Sequence, residues 1–71
     1  MTGKKAFSHH EAARIRHLLA EKQQSDSARK KAIRALLRGI GFYITDFDKS
    51  YRGFFLQHFE SLVSSRMISI R

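Results

Sequence analysis

Residues 38–45 read Arg-Gly-Ile-Gly-Phe-Tyr-Ile-Thr, RGIGFYIT, and the fold turns on how this stretch is parsed. Its first half closes a helical pattern. Gly39 or Gly41 is expected to stop that helix, because glycine takes the left-handed conformation just past a helix end without a Cβ penalty. Its second half, Phe42 to Thr45, is aromatic and β-branched and predicts a short strand over 42–46. The stretch is therefore read as a junction between two unlike halves of the chain.

Toward the N-terminus, Ala32, Ile33, Leu36, Leu37 and Ile40 recur on one side at about 100° per residue, the signature of an amphipathic helix. Lys30, Lys31, Arg34 and Arg38 fall on the other side. Such segregation suits a helix that meets a core on one face and a polyanion on the other, although a solvated cationic face has the same pattern. The preceding QQSDS is polar, competes with helical backbone and predicts a turn, with Asp26 or Ser27 capping the second helix. Further upstream, Ser8-His9-His10-Glu11 matches a capping box, in which Ser and Glu side chains each satisfy a free N–H. Ala12, Ile15, Leu18 and Leu19 then make one apolar stripe, so a first helix is expected over residues 9–23, led by a flexible segment, residues 1–7.

Toward the C-terminus, DFDKSYRG predicts a loop, and Phe55, Leu56, Phe59, Leu62 and Val63 predict a third helix over about 54–65. Met67 to Ile70 alternates as a terminal strand, paired with the strand at 42–46 in either direction. The expected architecture is a single α+β domain over residues 1–71, in the order α-α-β-α-β, with a minimal two-stranded sheet on three amphipathic helices. The chain has no proline and no Gly/Ser-rich linker to divide it.

RGIGFYIT also overlaps the RNP1 signature of RRM-type RNA-binding domains, with Arg38, Gly39, Gly41 and Phe42 matching and Ile40, Tyr43 and Thr45 departing from it. The resemblance ends there. An RRM needs a second aromatic strand upstream in a four-stranded sheet, and this chain has two helical patterns in that place.

Charge supplies the strongest functional signal. The 71 residues carry 14 Lys and Arg against 6 Asp and Glu, a net +8. Residues 1–40 hold ten of those cations against Glu11, Glu21 and Asp26, so the excess is concentrated in the helical half. Clustered cations gain directly from counterion release on a polyanion, which points to nucleic acid before membrane. A helix, a short turn and a second basic helix also fit a helix-turn-helix layout. The expected function is therefore a small nucleic-acid-binding protein, DNA ahead of RNA, in which Arg29, Lys30, Lys31, Arg34 and Arg38 neutralise phosphates with help from Lys4, Lys5, Arg14 and Arg16. Few side chains on that face read base edges, so phosphate contacts should dominate.

The alternative is a non-enzymatic protein-interaction module, an accessory subunit or small inhibitor. Seven of the eight aromatics lie between positions 42 and 59, and a domain this small has limited room for all of them. Phe47, Tyr51 and Phe54 are the candidates for an association surface, which would also permit a homodimer. No enzymatic site is expected. A Mg²⁺ site at Asp46, Asp48 and Glu60 is set aside, because acidic residues near a turn more often form the turn or cap a helix, as Asp48 would, and the histidines are too widely spaced for a usual Zn²⁺ site. No cofactor, metal, membrane or small-molecule substrate is anticipated. With no cysteine and no apolar leader or spanning run, the expected location is cytoplasmic.

Overall fold

The computed structural model describes residues 3–47 and 54–71. Its elements are β1 (Ala6–Phe7), α1 (His9–Gln23), α2 (Ser27–Ile40), a 3₁₀ turn (Ile44–Asp46), α3 (Leu56–Ser64) and β2 (Ser69–Ile70). Three helices and a two-stranded sheet make a small α+β fold. Most of the expected loop at DFDKSYRG, with Asp48 and Tyr51, lies outside the described residues.

The first two helices start and stop where their end chemistry dictates. Ser8 Oγ accepts from Glu11 N at 3.1 Å while Glu11 Oε1 accepts from Ser8 N at 2.9 Å, completing the capping box. Asp26 caps α2 by accepting from Arg29 N at 2.8 Å. Gly41, at φ +103°, ends α2; its N–H donates to Arg38 O and Phe42 N donates back to Leu37 O, each at 2.9 Å, so those two carbonyls of the last turn are satisfied. α3 has a less usual start: Phe55 N donates to the ring nitrogen His58 Nδ1 at 3.2 Å, which takes the part a carboxylate plays in α1.

Of the two glycines in the junction only Gly41 stops the helix, and this separates their mutational effects. Gly39 lies inside α2 with nothing within 4 Å of where an added Cβ would stand, so Gly39→Ala is expected to raise stability by about 0.5–1 kcal/mol through backbone entropy. Gly41→Ala should lower it by about 1–2 kcal/mol, since an L side chain is strained at φ +103° and its Cβ would also sit 2.6 Å from Lys4 Cε. Opposite shifts in the urea midpoint of the two variants would verify the assignment.

The strand expected at 42–46 is not formed. Phe42 and Ile44 are buried and Thr45 is exposed, an alternation that mimics a strand, but Asp46 N and Phe47 N donate back to Tyr43 O and Ile44 O and close a 3₁₀ turn. Asp46 carboxylate accepts from Gly3 N, and Lys4 N donates to Gly41 O at 2.8 Å, so the segment is tied to the N-terminal lead by single contacts and not by a ladder. The partner of the terminal strand is instead Ala6–Phe7, too short to carry a period of its own. β1 and β2 run parallel, with Ala6 opposite Ser69 and Phe7 opposite Ile70. The three helices between the two strands supply the long crossover that parallel pairing requires.

The core gathers one face of each element. Ile15, Leu18 and Leu19 of α1, Ile33 and Leu37 of α2 and Phe59 of α3 pack with Phe7, Phe42, Ile44, Phe54 and Ile68. The apolar stripe of α2 is narrower than its periodicity suggested, since Ala32 and Leu36 are exposed. Phe42 is the hub: its ring lies 5.6–5.8 Å from those of Phe7, Phe47, Phe54 and Phe59.

Phe54 must therefore be removed from the expected association surface. It is 1% exposed and packs on Phe42, so its area goes to the core. Phe47 is half-buried and stacked on Phe42, and Tyr51 lies outside the described residues.

Candidate nucleic-acid interface

The basic residues divide into two populations. Lys4, Arg16 and Arg29 are held by carboxylates: Lys4 Nζ meets Glu11 at 2.8 Å, Arg16 Nε meets Glu60 at 2.6 Å and Arg29 Nη2 meets Glu21 at 3.0 Å. Each pair links neighbouring elements, with Arg16–Glu60 joining α1 to α3 and Arg29–Glu21 joining α2 to α1. The hydrogen bond from Lys4, then that from the Ser8 backbone, holds the Glu11 carboxyl below its ordinary range. Being half-exposed, these pairs add little to stability, but they pre-commit three of the expected phosphate ligands.

Lys30, Lys31, Arg34 and Arg38 form the second group, defined by their shared face of α2; Arg34 is itself engaged in an interaction and is not a free cation. Lys30, Arg34 and Arg38 stand four residues apart, one above another along α2, and Lys31 lies beside them. Among the described residues Lys31 and Arg38 make no ion pair with a carboxylate. Lys5 and Arg14 are exposed elsewhere on the surface.

Two clefts run along this face. One of about 280 Å³ is lined, among the described residues, by Ser27, Lys30, Lys31 and Arg34. The other, of about 220 Å³, is lined by Arg34 and Arg38 from α2 and by Phe42, Tyr43, Ile44 and Thr45 from the segment that follows. Arg34 belongs to both, so the two are neighbours along the helix and meet at that side chain. No acidic residue lines either one among the described residues.

This arrangement works against the helix that carries it. α2 contains five cations and no Asp or Glu, so among its own residues nothing offsets their mutual repulsion, and only the Asp26 cap just before it complements the positive end of the helix dipole. Like charges at Lys30/Arg34 and Arg34/Arg38 each cost about 0.2–0.5 kcal/mol in an isolated helix. A bound anion would relieve this repulsion.

Behind this face lies a residue that sequence reasoning counted only as a charge. Lys22, in the last turn of α1, is 0% exposed. Its ammonium donates to Phe54 O at 2.7 Å and lies 5.0 Å from the centre of the Phe55 ring, whose face Lys30 Nζ also approaches at 5.7 Å. Desolvation, then the charges of Arg34 and Lys30, push its pKa down from 10.5 to about 8. The signal was present in the sequence, since position 22 continues the stripe of Ile15, Leu18 and Leu19 at helical spacing. Tyr43, Ile44 and Thr45 were likewise read as strand and not as lining.

Among the described residues no three His, Asp or Glu side chains gather where a metal ion would sit, and no helix is long and apolar enough to cross a membrane. No protein-family model, curated protein or solved structure matches this chain.

Proposed function

We propose that this protein binds nucleic acid, DNA in the first place, through the exposed face of α2, with Lys30, Lys31, Arg34 and Arg38 neutralising successive phosphates. The observation that carries the reading is a stripe of four cations beside two neighbouring clefts, with no acidic residue among the described residues lining them. From Lys30 to Arg38 the stripe is about 12 Å long at 1.5 Å per residue, which spans several phosphates of a strand and far exceeds what one small anion needs. Lys4, Arg16 and Arg29, held by carboxylates, drop to a secondary role. Docking through the aromatic half is less well supported, because Phe54 is buried.

Salt dependence tests the proposal. In titrations of labelled mixed-sequence oligonucleotides at several salt concentrations, the Lys30→Ala/Lys31→Ala/Arg34→Ala variant should lose about 0.7–0.9 unit of log–log slope for each phosphate contact removed, two units or more in all. Arg29→Ala should change the slope little, since Glu21 already holds that guanidinium. A triple variant with the wild-type slope would defeat the proposal.

A further inference from the structure

The two clefts differ in a way that phosphate binding alone does not explain. The one at Ser27, Lys30, Lys31 and Arg34 is lined, among the described residues, by one hydroxyl and three cationic side chains, which suits a sugar-phosphate backbone. The one at the C-terminal end of α2 sets Arg34 and Arg38 on one side and an aromatic and aliphatic segment, Phe42 to Thr45, on the other. Phe42 and Ile44 are buried, while Tyr43 is half-buried and Thr45 exposed. Among the described residues neither the Tyr43 nor the Thr45 hydroxyl makes a hydrogen bond, so both remain available to a ligand. A surface meant for a duplex backbone has no use for such a recess, because paired bases stay stacked inside the helix.

Building on the reading of α2 as the nucleic-acid face, we infer that this cleft takes one unpaired nucleotide of a single strand, its base against Tyr43 and its phosphate beside Arg34 and Arg38. The two arginines are one helical turn apart, about 5–6 Å between Cβ atoms, a spacing that lets both reach one phosphate or two adjacent ones. A cationic track leading to an aromatic platform is the general way proteins hold single strands, and stacking tolerates any base because every base has a π face. The backbone holds the platform in place. Gly41 reverses the chain at the end of α2, Asp46 N donates to Tyr43 O at 3.1 Å, and the Gly3 backbone lies so close to the Tyr43 ring that a Cβ there would come within 2.6 Å of Cδ1.

Single-stranded DNA and RNA share this chemistry, so the test includes both. An end-labelled single strand of mixed sequence, its RNA counterpart and the same DNA strand annealed to its complement are titrated at one salt concentration. The wild-type protein should bind a single strand about tenfold more tightly than the duplex. Tyr43→Leu, which keeps apolar volume but lacks the π face, should lose about tenfold on single strands, clearly more than it loses on duplex, and keep the salt slope set by the four cations. A duplex bound as tightly as either single strand, or Tyr43→Leu binding single strands like wild type, would overturn the inference and leave the basic face intact. Failure of wild type to bind any of the three would instead remove the reading beneath it. A fold-independent readout is available because the chain has no Trp and only two Tyr. In a Tyr51→Phe protein the remaining Tyr43 emission should be quenched by single strand and not by duplex, and unquenched emission at saturation would also overturn the inference.

Discussion

Phe42→Ala is expected to cost about half or more of the protein's folding stability. Phe42 is 0% exposed and its ring meets four others, those of Phe7, Phe47, Phe54 and Phe59. Those partners come from β1, from the segments flanking the 3₁₀ turn and α3, and from α3 itself, so one side chain joins parts of the core that are otherwise remote in sequence. Removing a buried phenylalanine costs about 3–5 kcal/mol through lost transfer energy and the cavity left behind. Aromatic pairs add about 0.5–1.5 kcal/mol each to burial alone. A 71-residue domain has only about 4–10 kcal/mol in total at the usual stability per residue. Far-UV circular dichroism and a urea titration would record the loss as a lowered midpoint. Phe47→Ala is the comparison, because Phe47 is half-buried and touches the same hub; it should cost clearly less and leave a cooperative transition. A Phe42→Ala midpoint close to wild type would mean that the core closes over the vacancy.

The hub also explains which parts of the fold were legible in sequence. The ends of α1 and α2 are written in adjacent residues: Ser8 with Glu11, Asp26 with Arg29, and Gly41 after the last turn. Their chemistry acts over three or four positions, so a linear reading captures it. Phe42 to Thr45 has the composition of a strand and even alternates in burial, but a strand needs a partner edge, and the terminal strand gives its edge to Ala6–Phe7. That choice is made by Phe7, whose ring packs at 5.8 Å on Phe42 and pulls the N-terminal lead against the end of the chain. Nothing within two residues of Ala6 announces it.

The candidate site follows the same rule. The alternation of cations along α2 was plain in the periodicity, and the stripe of Lys30, Lys31, Arg34 and Arg38 is where it was expected. Which cations are already spoken for was not plain. Arg16 finds Glu60 across 44 positions, and Arg29 reaches back to Glu21, because helix packing brings those residues together. The aromatic cleft was hidden for the converse reason: its two sides, Arg34/Arg38 and Tyr43/Thr45, are close in sequence but face each other only because Gly41 reverses the chain.

Stability should rise, not fall, as pH increases from 7 to about 9.5, and Lys22 is the reason. Its pKa is pushed down to about 8 in the folded protein and returns to 10.5 when the chain unfolds. Between those values the unfolded chain binds the proton more tightly, so raising the pH favours the folded state, and the contribution is complete only above about 10.5. Falling pH removes it through the folded value near 8. At about 1.36 kcal/mol per unit the whole shift corresponds to about 3 kcal/mol. Water and counterions around the neighbouring Lys30 and Arg34 screen part of this, leaving an expected rise of about 1–2 kcal/mol by pH 9.5. Urea midpoints at a series of pH values would measure it. In Lys22→Met, which keeps the buried stem and removes the charge, the rise should vanish, although the Phe54 carbonyl then loses a donor at 2.7 Å and stability at high pH should drop. A wild-type profile that is flat or declining over this range, or a rise that persists in Lys22→Met, would place the titrating group elsewhere. The binding face gives the same group a second consequence. The charges that lower the Lys22 pKa include Arg34 and Lys30, so an anion that neutralises those two should raise it, and binding should take up a proton near pH 8. Titrations of the same oligonucleotide in buffers of different ionisation enthalpy would detect that uptake, and a heat independent of buffer would show that Lys22 does not feel the ligand.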